Sequence, residues 1–394
     1  MSDYLPIEIQ VEILKKLPVK SLIQCRSVSK AWKSLIDSSD FIAHYSGQQQ
    51  HLLVSYHDGF DRKYVSVVDD DDAFPRHKVP LTVPVPVDML KHSRIIGSSH
   101  GLLCLYSDYG ETAVVWNISV SKAVAVNVPN VGDYYQCGAV LGFGVCGETN
   151  DPKIVKITPM DSTSSIPWQI DVFTLSTRAW RRPYSTNLPR KSLNFDCSLL
   201  GVVVDGDFCW LATDRITMDG ERRYINLIIS FDLTSEEFTE INLPDALAHL
   251  EGLHLSMLKL RESLVLIQGY LCNDHVFHVW MMEDDVPKLF TKMFTICIPG
   301  AVVLGVLEFR KSGEPIIEIL DSSCDPYEDD SSLVVYEPCS KHITHLGISG
   351  MCSFFLSCYM GSCLGISGMC SFSSYSYKET LLLLDLPDLT TYDI

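Results

Sequence analysis

Positive charge is in short supply in this 394-residue chain: 31 Lys and Arg stand against 49 Asp and Glu, a net charge of −18. The deficit is uneven. Residues 1–47 hold six basic and five acidic side chains, a balance of +1, which leaves −19 for the remainder. So acidic a domain does not offer the basic patch that phosphates require, which argues against direct nucleic-acid binding; the charge is compatible with a basic protein partner, though many soluble proteins are simply acidic. The motifs of catalysis and metal binding are missing as well. There is no HExxH and no nucleophile elbow. The 14 cysteines include no close C-x-x-C pair. Cys352, Cys358, Cys363 and Cys370, with His342 and His345 upstream, lie six, five and seven residues apart, which is wrong for structural zinc. Gly142-Phe-Gly144-Val-Cys-Gly147 spells a dinucleotide motif, but ETNDPKIVKI follows as a turn and a strand, where pyrophosphate needs a helix N-terminus. The acidic runs 69–72 and 325–330 lack the alternation of a calcium loop and read as solvated loops. The expectation is a non-catalytic chain without metal or cofactor.

The opening MSDYLPIE has neither the basic start nor the apolar core of a secretory signal. The chain is therefore expected in the cytoplasm or nucleus, its cysteines reduced and its Asn117-Ile-Ser119 sequon unused. Residues 346–377 carry no charge and are long enough to span a bilayer. Their Gly, Ser and other polar residues fit buried strands better than a membrane helix.

What is present begins at residues 4–44. Leu5-Pro6 places a proline at a helix entry, where its missing N–H costs nothing. Ile9, Ile13 and Leu17 recur every four residues with Leu14 beside them. Pro18 ends that helix and Val19 lies in the break. Leu22 and Cys25 share a face of a second helix, and Val28, Trp32, Leu35 and Ile36 mark a third. About forty residues cannot bury a core alone, so the module either packs on the main domain or docks on another protein.

The ordered series LPIEI, EILKKLPVKSLIQCRSVSKAWKSLI resembles the F-box over essentially its whole length. The resemblance implies a three-helix module, residues 1–46, that binds a Skp-type adaptor. Leu5, Pro6, Ile9, Ile13, Leu17, Pro18, Val19 and Leu22 would form the adaptor-facing surface, and Val28, Trp32, Leu35 and Ile36 would hold the helices together.

Gly47–Gln50 reads as a short linker, after which helical periodicity gives way to short β-rich runs separated by Gly, Pro, Asn and Asp. A strand–turn–strand unit recurs around Trp116, Phe173, Phe231, Trp280 and Tyr336, with weaker members at Tyr56 and Leu384, at spacings of roughly 48–60 residues, near the kelch propeller repeat. Six blades are expected over 47–394, with seven, or a two-sheet sandwich, as alternatives. SSHGLLCL (98–105), VVWNISVSK (114–122) and LGFGVCGETNDPKIVKI (141–157) resemble the F-box-associated domain of plant F-box proteins, a kelch-like interaction domain. Together the resemblances imply a substrate-recognition subunit of an SCF-type ubiquitin ligase, joined through the adaptor to cullin and RING subunits and holding a protein substrate, its charge being compatible with a basic one. A non-degradative F-box scaffold and a propeller enzyme or carbohydrate-binding module are the other readings. A second repeat, LGISGMCSF at 346–354 and again at 364–372, is too short for a blade and reads as a local duplication.

Overall fold

A computed structural model of the chain describes residues 5–58, 61–70, 73–90, 93–107, 111–129, 139–160, 168–183, 189–195, 201–218, 221–250, 255–269, 276–283, 289–321, 330–351 and 371–384. The N-terminal module contains α1 (Ile7–Leu14), α2 (Val19–Cys25), α3 (Lys30–Ile36) and, beyond the three expected, α4 (Ser39–His44). Serines start the last two: Ser29 Oγ accepts from Trp32 N, and Ser38 Oγ from Phe41 N. SSDFIAH shows little periodicity and so gives no sign of a fourth helix, yet Phe41 and Ile42 are buried.

The rest is all β. Among the described residues the strands form six antiparallel sheets, the blades of a six-bladed β-propeller. In chain order the second blade is Ser93–Ser99, Leu102–Ser107, Thr112–Asn117 and Lys122–Asn127. The third is Val140–Val145, Pro152–Pro159, Trp168–Thr174 and Ala179–Arg181. The fourth pairs the 12-residue strands Asp207–Met218 and Glu221–Asp232, flanked by Leu193–Phe195, Val202–Val204 and Phe238–Asn242. The fifth runs from Leu255–Leu260 to Phe290–Ile296 and the sixth from Ala301–Phe309 to Ile343–Met351. The first blade draws on both ends of the domain: Phe372–Lys378 pairs with Gln50–Asp58, followed by Asp61–Val68 and Lys78–Pro80.

The repeat markers have a structural meaning. Trp116, Phe173, Phe231, Trp280 and Tyr336 each lie on the third strand of their blade. In four blades that strand runs into the same connection. Starting from Asn117, Thr174, Asp232 and Glu337, the fifth residue takes a left-handed backbone, at Ser121 (φ +53°), Arg178 (+51°), Glu236 (+60°) and Lys341 (+59°). In three of the four the first side chain caps the turn: Asn117 Oδ1 accepts from Ser119 N and Val120 N, and Asp232 Oδ1 from Thr234 N and Ser235 N, whereas after Thr174 it is Asp151 Oδ1 that accepts from Ser176 N. The hydroxyl and N–H of Ser340, with the N–H of Cys339, hold the equivalent Glu337 carboxyl down to about 2. Tyr56 and Leu384 break the pattern. Tyr56 is on the strand that precedes its blade's third, and Leu384 closes a turn.

The chain divides into two compact units, 1–53 with 64–130 and 376–394, and 54–63 with 131–375. In the second unit, blade packs on blade through aromatic and aliphatic clusters. Phe208 and Trp210, with ring centroids 4.4 Å apart, fill the space between the third and fourth blades. A Cβ on Gly142 would sit 2.6 Å from Phe208 Cε1. That glycine of the dinucleotide-like motif therefore serves close blade packing, and the motif runs strand–turn–strand.

Of the duplicated LGISGMCSF, 352–370 lie outside the described residues. Leu346–Met351 of the first copy finish one strand, while Phe372 of the second copy opens the last, with Ser371 just before it. Ser331 Oγ is 3.4 Å from Gly350 O and 3.3 Å from Ser371 Oγ, so the two ends lie close together. A chain lacking 353–370 keeps one copy of the motif, and the three Cα–Cα steps it leaves between Gly350 and Ser371 span up to about 11 Å. It is expected to fold with a Tm within about 3 °C of the full chain. A collapse of the calorimetric transition would show instead that both copies are structural.

Candidate functional site

The helical module carries a bare apolar surface. Ile9 and Ile13, one turn apart on α1, are 47% and 49% exposed, and Leu5, Ile7, Ile23 and Val28 are exposed too. Single exposed apolar side chains are ordinary, but six on so small a module are the sign of a surface another protein covers. Opposite this surface Leu14, Val19, Leu22, Ile36, Phe41, Ile42 and Tyr45 are buried together.

The residues named from sequence divide between these two sides. Leu5, Pro6, Ile9, Ile13 and Pro18 are exposed, and Leu17 is half-buried. Val19 and Leu22, expected on the adaptor-facing surface, are fully buried. Trp32 and Leu35 are half-buried against the core and Ile36 is inside it. Trp32 Nε1 donates to Gln10 Oε1 at 2.9 Å, tying α3 to α1, while an Arg26–Asp37 ion pair joins the ends of α2 and α3. Val28 is a correction: expected to hold helices together, it is 68% exposed. Its four-residue step to Trp32 presumes a helix starting at 28, but Ser29 caps α3 and leaves Val28 in the preceding turn. Ile7 and Ile23 were missed because neither falls on the stripe that periodicity picks out.

The core beneath this surface is shared with the other end of the chain. Leu381 and Leu384 are buried in the same cluster, with Leu382 and Val120 packed against it. The run TLLLLDL has the composition of a strand but bears none over its described part; Leu384 N bonds back to Leu381 O and Leu383 has φ +70°. Four leucines look like a strand, but they serve here as a plug. Gly47, expected in a linker, is buried: its N–H donates to Glu379 O at 2.8 Å, and a Cβ there would meet Glu379 Cβ at 2.8 Å. Glu379 Oε2 accepts from Val19 N at 3.0 Å. α2 begins at Pro18, which supplies no side-chain cap, so the carboxylate of a residue 360 positions away satisfies that helix end. The pocket is dry enough for burial, aided by the Glu379 charge, to push the Tyr45 hydroxyl well up; burial likewise raises Tyr377 to about 12.

The second blade grips the same segment from its other side. Asn117 Nδ2 donates to Thr380 O (3.1 Å) and Leu382 O (2.6 Å), Thr380 N donates to Ser119 Oγ, and Lys122 Nζ to Leu384 O. Asn117 is fully buried, so the sequon is sealed by structure. A Cβ on Gly101 would lie 2.4 Å from Lys378 O, which explains the glycine of SSHGLLCL.

Gly97-Ser-Ser-His-Gly101 does spell the letters of a nucleophile elbow. Contrary to the expectation that no such motif is present, the letters are there, but they lie in a strand-to-strand hairpin with left-handed His100 and Gly101 rather than at a helix start. Ser99 Oγ is 2.9 Å from His100 Nδ1, a contact between neighbours in a turn. The Cys352–Cys370 cluster lies outside the described residues, as does most of 325–330; His342 and His345 are exposed. Among the described residues no group of His, Cys, Asp or Glu is arranged to hold a metal, and no helix is long and apolar enough to cross a membrane.

A short helical module with an exposed apolar surface stands before a six-bladed β-propeller. Family comparison agrees. Residues 3–44 match the F-box domain, and residues 73–311 match the F-box associated beta propeller domain. The chain belongs to this F-box-associated propeller family and is a plant F-box protein. It is 27% identical over 325 residues to the F-box protein CPR1 of Arabidopsis thaliana, covering 76% of this chain and 74% of that one. It is also 27% identical over 316 residues to the F-box protein At5g18160 of the same plant, covering 78% and 74%. Among solved structures, dipeptidyl peptidase 4 of Porphyromonas gingivalis aligns with a TM-score of 0.36 and 9% identity over 76% of this chain and 44% of that one, too distant to bear on activity. Members of the F-box family are in general non-catalytic adaptors.

Proposed function

We propose that this chain is the substrate-recognition subunit of an SCF-type cullin–RING ubiquitin ligase. Its F-box engages a Skp-type adaptor, the adaptor bridges to cullin and RING subunits, and the propeller holds a protein substrate. The observation that carries this reading is the exposed apolar surface of Leu5, Ile7, Ile9 and Ile13 above a packed core. The chain then acts by proximity: it keeps a substrate lysine near a ubiquitin thioester made elsewhere and raises their effective concentration. No residue of its own performs the transfer. We expect it in the cytoplasm and nucleus, where such ligases work.

Ile9→Asp with Ile13→Asp tests the docking. Both side chains are about half exposed, so the stability of the chain should change by less than about 0.5 kcal/mol per site. Buried in an interface, each is worth about 2 kcal/mol, so adaptor affinity should fall by roughly 100-fold or more. Titration of purified adaptor decides; undiminished affinity refutes the docking surface. The second reading, a non-degradative F-box scaffold, predicts co-purification with adaptor but no cullin and an unchanged half-life of bound proteins.

A further inference from the structure

We infer that the chain's own C-terminal segment, residues 379–384, is a working part of the adaptor-docking module, with Glu379, Leu381 and Leu384 as positioning residues for adaptor capture. The inference rests on the docking reading above. The helices of the module are eight, seven, seven and six residues long. Isolated helices need roughly 12–15 residues to persist, so these depend on tertiary packing. Part of that packing comes from the far end of the chain. Leu381 and Leu384 lie in one cluster with Leu14, Val19 and Leu22. Leu14 belongs to α1, whose outer surface is Ile9 and Ile13.

Polar groups fix the segment on both sides. Toward the module, Glu379 offers its carboxylate to Val19 N and its carbonyl to Gly47 N. Away from it, Asn117, Ser119 and Lys122 bind the backbone of 380, 382 and 384. The segment is thus a bolt between the second blade and the docking helices, all within one compact unit. It replaces a flexible tether with a fixed seat, and the population of adaptor-competent F-box depends on it. Affinity for the adaptor falls in proportion to the fraction of chains in which the seat is intact.

The test uses the full chain and a purified Skp-type adaptor, with hydrogen exchange followed in parallel. Leu381→Asp with Leu384→Asp should weaken adaptor binding by about tenfold or more, as the competent fraction drops. Exchange should accelerate over residues 14–25 while the amides of Val140–Val145 keep their protection. Glu379→Gln, which loses only the charged cap of α2, should cost about two- to fivefold. Leu381→Met with Leu384→Met keeps the apolar volume and should bind within about twofold of the parent. Wild-type affinity in the aspartate variant overturns the inference, as does a methionine variant that binds as poorly as the aspartate one. If the aspartates unfold the chain, Leu384→Ala decides: unchanged affinity and unchanged exchange over 14–25 overturn it. Ile9→Asp with Ile13→Asp separates the two readings. Should that variant bind adaptor normally, the docking reading fails, and the bolt is then judged by exchange over 14–25 alone.

Discussion

Deleting residues 1–46 is expected to destabilise what remains rather than release an intact propeller. Removal of the F-box strips the cover from Leu381 and Leu384, both buried in the shared core, and from the half-buried Leu382 and Val120 beside them. Re-exposing a buried leucine costs about 1.5–3 kcal/mol, so the two buried leucines alone cost roughly 3–6 kcal/mol. That is a large share of the 5–15 kcal/mol that holds an ordinary domain together. The Tm of the truncated chain should fall by the order of 10 °C, and its apolar patch should bind a hydrophobic dye. An unchanged Tm would mean that the F-box contributes nothing to the core it shares with the C-terminal segment. The point has practical weight. A truncated chain used as bait to trap substrates would expose leucines that collect proteins non-specifically, whereas Ile9→Asp with Ile13→Asp uncouples the adaptor and leaves that core covered.

The second large effect is expected at Glu318. Its side chain is wholly buried on the second strand of the sixth blade. It accepts from Ser331 Oγ at 2.6 Å, from Ser371 N at 3.0 Å and from Phe372 N at 3.4 Å. Phe372 begins the strand that completes the first blade, with Ser371 just before it, and both are buried. Glu318→Leu takes the carboxylate acceptor from two backbone N–H groups in the core, while the Ser331 hydroxyl keeps Gly350 O and Ser371 Oγ within reach. Each lost acceptor costs about 1–3 kcal/mol, so a loss of roughly 2 kcal/mol or more is expected, read as a fall in the urea midpoint at constant slope. Burial raises the Glu318 carboxyl above its ordinary 4.5, and the hydrogen bonds from Ser331, Ser371 and Phe372 only partly offset it. A carboxyl raised in the folded state stabilises most below 4.5 and gives that contribution up as pH climbs through its elevated value. Glu318→Gln, which cannot ionise, should flatten the loss over that window. Glu318→Leu with parental stability at every pH would show that the strand start is held by other means.

Much of the fold could be read from the chain, for identifiable reasons. In four blades the third strand ends in a turn whose fifth residue is left-handed, and in three of these the first side chain caps the loop. Bulky residues therefore recur near Trp116, Phe173, Phe231 and Tyr336 with a polar turn behind them, and the six-blade period shows. The F-box showed equally well, because its prolines and leucines are fixed by helix starts and by packing. Val28 was misplaced by a local feature, the Ser29 cap, but the other differences depend on residues far apart in sequence. Gly47 looks like a linker until Glu379 is set against it. The leucines of 381–384 look like a strand until the helices that cover them are known. Val19 and Leu22 look like surface for the same reason. Two alternatives posed for the N-terminal helices, a module packed on its own domain and a module that docks elsewhere, are compatible, because one side of the helices is packed and the other is bare.

The measurement that bears most directly on the account is reconstitution of the full chain with a purified Skp-type adaptor and the cullin–RING core, resolved by mass. A single stoichiometric assembly is expected with the parent chain and none with Ile9→Asp and Ile13→Asp, at equal folded concentrations. A parent chain that remains apart from the adaptor at micromolar concentration, or a double variant that enters the assembly as readily as the parent, would contradict it.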